Sequence, residues 1–422
     1  MNANPVTSTT RIWAIGLPVL LFLSGAAALA YEVLWARMLG AMFGVSTFGV
    51  IVTVAAFMLG LGGGAVAGVR WPMSAWPPLR VFAVCEAAVA LIALILPTAF
   101  RGLDPWFTAS TAQTSLAAWY VLQGGVALVV LSVPAVLLGF GFAAALRVGR
   151  DAGVGIGLLY GVNTLGGALG AVLPLVLLPT VGWQVAVYCA ATLGLISAGL
   201  AAGWSNRTSM INWAPPATSR PAWRTLFAYA GVGCAALIVE IAWTRLYGMV
   251  LLRTEYVLAI LLAVFLLGAA LGSLLARRLA DHHLRWLPWA CGVAVILSLW
   301  CLPWVAQWQA NANFGSLAGA LLAGAAVLLP ITLPTTLVLG VWLPLLARRY
   351  QDQPGIAAWL YGVNAAGSAV GVLLAGALLI PLLGTPATLV FAALLLVICG
   401  WVFAPPGRWG FALIALIALA GR

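Results

Sequence analysis

The stretch Tyr-Glu-Val-Leu-Trp-Ala-Arg, from Tyr31 to Arg37, places a carboxylate, an indole and a guanidinium at the end of a long apolar segment. An ionised side chain deep in a bilayer costs about 2.5–3.5 kcal/mol on insertion scales, so such residues need a reason to be there. The pattern returns 208 residues later: Ala28, Leu29, Glu32, Trp35, Arg37 and Gly40 correspond to Ala236, Leu237, Glu240, Trp243, Arg245 and Gly248. A chain so poor in charge does not place Glu, Trp and Arg at one offset twice by accident. The repeat is an internal duplication, and its polar motif is the first place to look for function.

Glu32 and Trp35 are three residues apart and share a helix face, while Arg37 points elsewhere. Arg37 is therefore a poor partner for Glu32 on its own helix. A twofold relation between the repeats offers Glu32 with Arg245 and Glu240 with Arg37. Two readings follow: a structural clamp joining the halves through Arg37 and Arg245, or an acidic, Trp-lined vestibule that receives a cation through charge and cation–π contact.

Further polar residues fall inside apolar segments. Tyr160 and Asn163 answer Tyr361 and Asn364 at an offset of 201, each an i, i+3 pair. An amide is avoided in lipid, so these side chains serve either helix–helix hydrogen bonding or the lining of a pocket. Glu86 has no acidic counterpart in the second repeat. It is either a satisfied buried carboxyl or an inner cation or proton site.

These residues need elements to hold them. Of 422 residues, 64% are hydrophobic and 6% charged, against about 25% charged in a soluble domain. Apolar runs of membrane length recur along the chain, which predicts an all-α, multi-pass membrane protein. Helices are expected at about 13–35, 45–68, 80–98, 116–145, 155–178 and 183–202. A second set is expected at about 226–245, 256–276, 287–305, 315–347, 356–380 and 385–403. The organisation is thus a six-helix repeat over 1–203, a linker over 204–224, a second six-helix repeat over 225–404, and a short apolar tail over 405–422. The first run follows one charge, Arg11, without a small-residue cleavage site, and reads as a membrane helix and not a signal peptide.

An even number of helices per repeat gives both repeats the same orientation, related by a pseudo-twofold axis along the membrane normal, as in major-facilitator transporters. Every basic residue is Arg. Fifteen of the 19 Lys and Arg positions fall on one side of this topology, the exceptions being Arg37, Arg101, Arg245 and Arg253. The positive-inside rule then places both termini in the cytoplasm, in an inner membrane. The same scatter accounts for the net charge of +11 without nucleic acid.

Other signals reduce to packing. The six cysteines lie singly in apolar segments, and His282 and His283 sit in a charged loop, so neither a metal site nor a cofactor is expected. Glycines at i, i+4, such as Gly60 with Gly64 and Gly166 with Gly170, read as close-approach helix faces. The glycine-rich runs 60–64 and 153–157 lack the preceding strand of a phosphate-binding loop.

The combination Gly-x-x-Ala-Leu-x-x-Glu-x-x-Trp-x-Arg (Gly25–Arg37), Phe-x-x-Gly-x-x-x-Gly (Phe57–Gly64) and Leu-Tyr-Gly-Val-Asn-x-x-Gly (Leu159–Gly166) resembles one family. It is similar to the multi-pass segment of the spermidine synthase-like membrane proteins, a major-facilitator-like part fused to an aminopropyltransferase-like domain. The elements recur as Gly233–Arg245, Phe265–Gly272 and Leu360–Gly367. The chain has only eight acids and no alternation of strands and helices, so aminopropyl transfer does not carry over.

The expectation is a transporter-like protein that binds or moves a small, amine-type cation between two halves. Its ligand-binding candidates are Glu32, Trp35, Glu86, Tyr160, Asn163, Glu240, Trp243, Tyr361 and Asn364. The alternative is a non-catalytic membrane module that anchors a separate soluble enzyme or assembles a larger membrane complex. An intramembrane enzyme fits least, since no nucleophile–base pair is evident. Expected partners are membrane lipid, the small cation and, for the alternative, a protein.

Overall fold

The structure is a computed structural model that describes residues 5–43, 47–71, 76–111, 115–205, 222–251, 254–353 and 355–403. Among them the chain is helical, with no strand. In hydrocarbon each backbone N–H and C=O must be satisfied within its own segment, which a helix achieves. The first half holds α1 (Pro5–Phe43), α2 (Thr47–Arg70), α3 (Pro78–Thr111), α4 (Leu116–Asp151) and α5 (Ile156–Ser205). The second holds α6 (Trp223–Gly248), α7 (Thr254–Leu275), α8 (Leu287–Trp300), α9 (Leu302–Asn311), α10 (Leu317–Arg349), α11 (Ile356–Leu374) and α12 (Ile380–Trp401). Two short 3₁₀ turns, Ala276–Arg278 and Asp281–Arg285, link α7 to α8, and a π-turn, Ala375–Leu379, joins α11 to α12.

Nine of these stretches are long and apolar enough to cross a membrane, and ten once α8 and α9, bent by 41°, count as one span. Two of the stretches are hairpins. Gly182 (φ 80°, ψ −179°) divides α5, and Gly384 (φ 79°, ψ 166°) divides α12. These conformations suit glycine, because a Cβ disfavours positive φ. Contacts confirm the reversals: Gly166 meets α1 at Phe22, and Ser197, beyond the turn, donates to the Leu20 carbonyl at 3.2 Å. Likewise Gly367 and Cys399, on opposite sides of Gly384, meet α6 at Ala230 and Gly231. Counting each limb separately gives twelve membrane-length limbs among the described residues, as expected. The predicted linker and tail fall mostly (206–221) or wholly (404–422) outside the described residues.

The duplication in sequence is a duplication in packing. A Cβ on Gly25 would land on the Asn163 carbonyl, and one on Gly233 on the Asn364 carbonyl. Gly170 crowds Ala26 as Gly371 crowds Cys234, and Gly139 crowds Leu61 as Gly340 crowds Ala269. Even the caps repeat: Ser115 accepts from Ala118 N–H at 3.3 Å, and Ser316 accepts from Gly319 N–H at 3.1 Å. Small residues at these crossings let backbones approach closely, which drives helix association where lipid removes the hydrophobic effect.

The halves meet symmetrically. The first limb of α5 packs on α7, and α2 packs on α11. Gly161 sits against Leu274 and Ala270, while Gly362 sits against Val66 and Gly62. Offsets of 208 and 201 interconvert these two sets, so a pseudo-twofold axis runs between the halves. The fold is all-α and major-facilitator-like.

Candidate functional site

Glu32 on α1 and Glu240 on α6 are 5% and 8% exposed. They belong to opposite halves, and each lies within electrostatic reach of the other. One Glu32 carboxylate oxygen, Oε2, is buried without a hydrogen-bond donor. The duplication thus brings two acidic groups within electrostatic reach of each other at the midline.

The expected clamp is not formed. Among the described residues the ion pair is Arg348 with Asp281, at 2.8 Å, and it involves neither Glu32 nor Glu240. Arg245 is exposed, and Arg37 is half-buried with one guanidinium nitrogen unpartnered. The reason is geometric. Each Arg stands five residues beyond its Glu, about 7.5 Å further along the axis at 1.5 Å per residue. From there neither guanidinium comes within ion-pair distance of a carboxylate among the described residues.

Trp35 and Trp243 do not line a vestibule. They are 1% and 0% exposed and pack inside their own halves. Trp35 stacks on Tyr31 at 5.3 Å and meets Phe57 edge-on at 6.3 Å; Trp243 meets Phe265 edge-on at 6.5 Å. The Trp243 indole N–H donates to Ser298 Oγ at 2.8 Å. The shared helix face in sequence was real, but a face wide enough for Glu and Trp spans both the midline and the neighbouring helix.

Tyr160 and Tyr361 do meet. Their ring centroids are 6.3 Å apart, and Phe142 lies 4.7 Å from Tyr361. Tyr361 is within electrostatic reach of Glu32, and buried Tyr229 within reach of Tyr160. An aromatic group of Tyr160, Tyr229, Tyr361 and Phe142, drawn from α5, α6, α11 and α4, therefore gathers between the halves, with Tyr361 its link to Glu32. Tyr229 and Phe142 escaped sequence reasoning because neither is repeated: their offset partners are Leu21 and Leu343.

The asparagines serve the crossings. Asn364 Nδ2 donates to the Tyr229 carbonyl at 3.3 Å, beside Ser368 donating to the Gly233 carbonyl at 3.2 Å. Asn163 holds the equivalent place against Gly25. Glu86 stands apart from the midline. It lies on α3, 2% exposed, and accepts from Ser24 Oγ at 2.6 Å inside the first half.

Among solved structures, three show how this arrangement of helices is used elsewhere. A bacterial homologue of the iron transporter ferroportin in its outward-facing state matches with a TM-score of 0.60 and 14% identity, over 92% of this chain and 98% of that one. The two chains share a fold. A bacterial homologue of ferroportin in the outward-facing state with soaked iron gives 0.59 over the same shares, also at 14% identity. The inward-facing state gives 0.56 at 14% identity, over 95% of this chain and 98% of that one. No protein-family model matches this chain, and no curated protein does.

Proposed function

We propose that the chain transports a small organic cation of the amine type, bound between its halves by Glu32 and Glu240. One observation carries this reading: two buried carboxylates approach across the midline with no guanidinium between them. Two such charges in a low-dielectric site repel each other and lack hydration, so the site is completed by positive charge. Tyr361, within electrostatic reach of Glu32, offers a ring face, which favours an ammonium over a small hard ion. The resemblance of the repeated motifs to spermidine synthase-like membrane proteins supports an amine as the first substrate class. Asn163 and Asn364 then hold the helices that carry the site, and Arg37 and Arg245 mark its outer rim.

A metal ion is the second reading, favoured by the neighbours' description as iron transporter homologues. The acid pair would supply two oxygen ligands; among the described residues no group of three His, Cys, Asp or Glu side chains converges. We place the protein in an inner membrane with both termini cytoplasmic, on the Arg distribution. Uptake by liposomes containing the purified chain, with labelled diamines and polyamines in one arm and iron(II) in the other, separates the readings. Saturable amine movement that excess iron(II) leaves intact supports the proposal; movement of iron(II) alone replaces it.

A further inference from the structure

The acid pair leaves one membrane carboxylate unused. Glu86 has no counterpart in the second half, where position 294 is Ala. Its helix, α3, packs on α4 and α5 and touches α1, all in the first half. The groups around it are neutral hydroxyl and thiol donors: Ser24 and Tyr31 from α1, and Cys85 beside it on α3. From α4 comes Gly141, which abuts Cys85 and Phe82, and from the second limb of α5 comes Gly194, which abuts Tyr31. No basic side chain pairs with Glu86 among the described residues. A carboxylate so placed has the proton as its available counter-charge.

Its hydrogen bond lands on the helix that bears the acid pair. Ser24 Oγ donates to Glu86 Oε1 at 2.6 Å. The next residue, Gly25, is locked against Asn163 of α5, and Glu32 follows on the same helix. Tyr31, two turns above Ser24 on the same face, anchors α1 to the far limb of α5 by donating to the Ala190 carbonyl at 3.1 Å. A change of charge on Glu86 alters the bond that ties α1 to α3, because a hydroxyl binds a carboxylate more strongly than a neutral acid. Glu86 and Ser24 thus form a switch at the base of the helix that presents Glu32.

We infer that Glu86 is the proton-binding site that couples transport to a proton gradient, separate from the cation site at Glu32 and Glu240. One proton binds Glu86 from one side and leaves to the other in each cycle, with no covalent change. The inference rests on the transport reading above, but part of its test does not.

Infrared difference spectra of the purified full chain in lipid, taken between about pH 5 and pH 9, read protonated carboxyl groups without any substrate. A titrating carboxyl band is expected that Glu86→Gln removes and that the Glu32→Gln, Glu240→Gln double variant retains. Ser24→Ala displaces the midpoint of that band, whereas Ser197→Ala, which removes a buried hydroxyl bonded to the Leu20 carbonyl, leaves it in place. In liposomes, Glu86→Gln keeps exchange of labelled for unlabelled amine but loses accumulation driven by a pH gradient. A Glu86 band that does not titrate over this range, or uphill accumulation by Glu86→Gln equal to wild type, overturns the inference. A wild-type chain that moves no amine yet shows the titrating Glu86 band overturns the choice of substrate and leaves the proton site standing.

Discussion

Glu32 and Glu240 approach one another across the axis that relates the two halves, each buried and each outside the reach of the repeated arginines. The duplication makes this meeting unavoidable. A residue near the axis in one repeat faces its own copy in the other, so a single ancestral acid becomes a pair of like charges. The same operation that gives the fold its interlocked glycines leaves two carboxyl groups at its centre without an arginine partner among the described residues.

The crossings predict where substitution is least tolerated. Gly25→Ala and Gly233→Ala drive a Cβ into the carbonyls of Asn163 and Asn364. Each is expected to cost about 1–3 kcal/mol through forced helix separation. Gly63→Ala, at a position with open space around it, should be silent. Thermal unfolding of the purified protein in detergent checks all three, and equal melting points for Gly25→Ala and Gly63→Ala would refute the packing account.

The hairpin turns give a second prediction. Gly182 and Gly384 hold φ near +80° with no neighbour within 4 Å of a would-be Cβ. Alanine there adds backbone strain alone, expected at about 1–2 kcal/mol. Asparagine should recover none of the loss, because its tolerance of positive φ is for the left-handed helical region, whereas these turns have ψ −179° and 166°, where glycine alone is at ease. A melting point for Gly182→Ala at or above wild type would show that the turn is not under this constraint.

Arg348 predicts an asymmetric pair of effects. Its guanidinium binds Asp281 Oδ1 through Nε at 3.1 Å and Nη2 at 2.8 Å, and also reaches the carbonyls of Ala276 and Leu279 at 3.4 and 2.5 Å. Because the ion pair is partly exposed, Asp281→Ala should cost at most about 1 kcal/mol. Arg348→Ala also removes the side-chain donor to the Leu279 carbonyl and one of two donors to the Ala276 carbonyl, and should cost more, about 1–3 kcal/mol. Lysine cannot span the fork, so Arg348→Lys should behave nearly as alanine does. Comparable losses for Asp281→Ala and Arg348→Ala would place the whole effect in the ion pair.

Much of this was legible before any coordinates. The offsets of 208 and 201 identified which glycines belong together, and the helices they mark do cross at Gly25 and Gly233. What sequence could not supply was the partner of each polar face. Periodicity puts Glu32 and Trp35 on one side of α1, yet Glu32 lies within electrostatic reach of Glu240 across the axis while Trp35 packs on Phe57 of α2, and only the folded structure tells the two apart. The clamp failed for a related reason: symmetry pairs elements, but the five-residue step from Glu32 to Arg37 sets the charges at different heights. Ser24 and Glu86 lie 62 residues apart with no repeat to flag them.

The side of the membrane follows from the arginine count and is open to direct labelling. Asn311, at the end of α9, and His282, in the turn after α7, are both exposed. A membrane-impermeant maleimide on intact cells should label Asn311→Cys, and should label His282→Cys only once the membrane is opened. The reverse pattern would invert the topology and put the acid pair nearer the cytoplasm.

The central claim is that Glu32 and Glu240 together hold a cation between the halves. It is tested most directly by amine binding to the purified chain, measured calorimetrically for wild type, Glu32→Gln, Glu240→Gln and the double variant, with unfolding curves run alongside. A charge-assisted hydrogen bond contributes about 1.5–3 kcal/mol, so each single variant should bind about tenfold weaker or worse, and the double variant should show no binding. Both single variants should stay folded, since neither carboxylate holds an arginine in place. Wild-type affinity in a folded double variant would contradict the account.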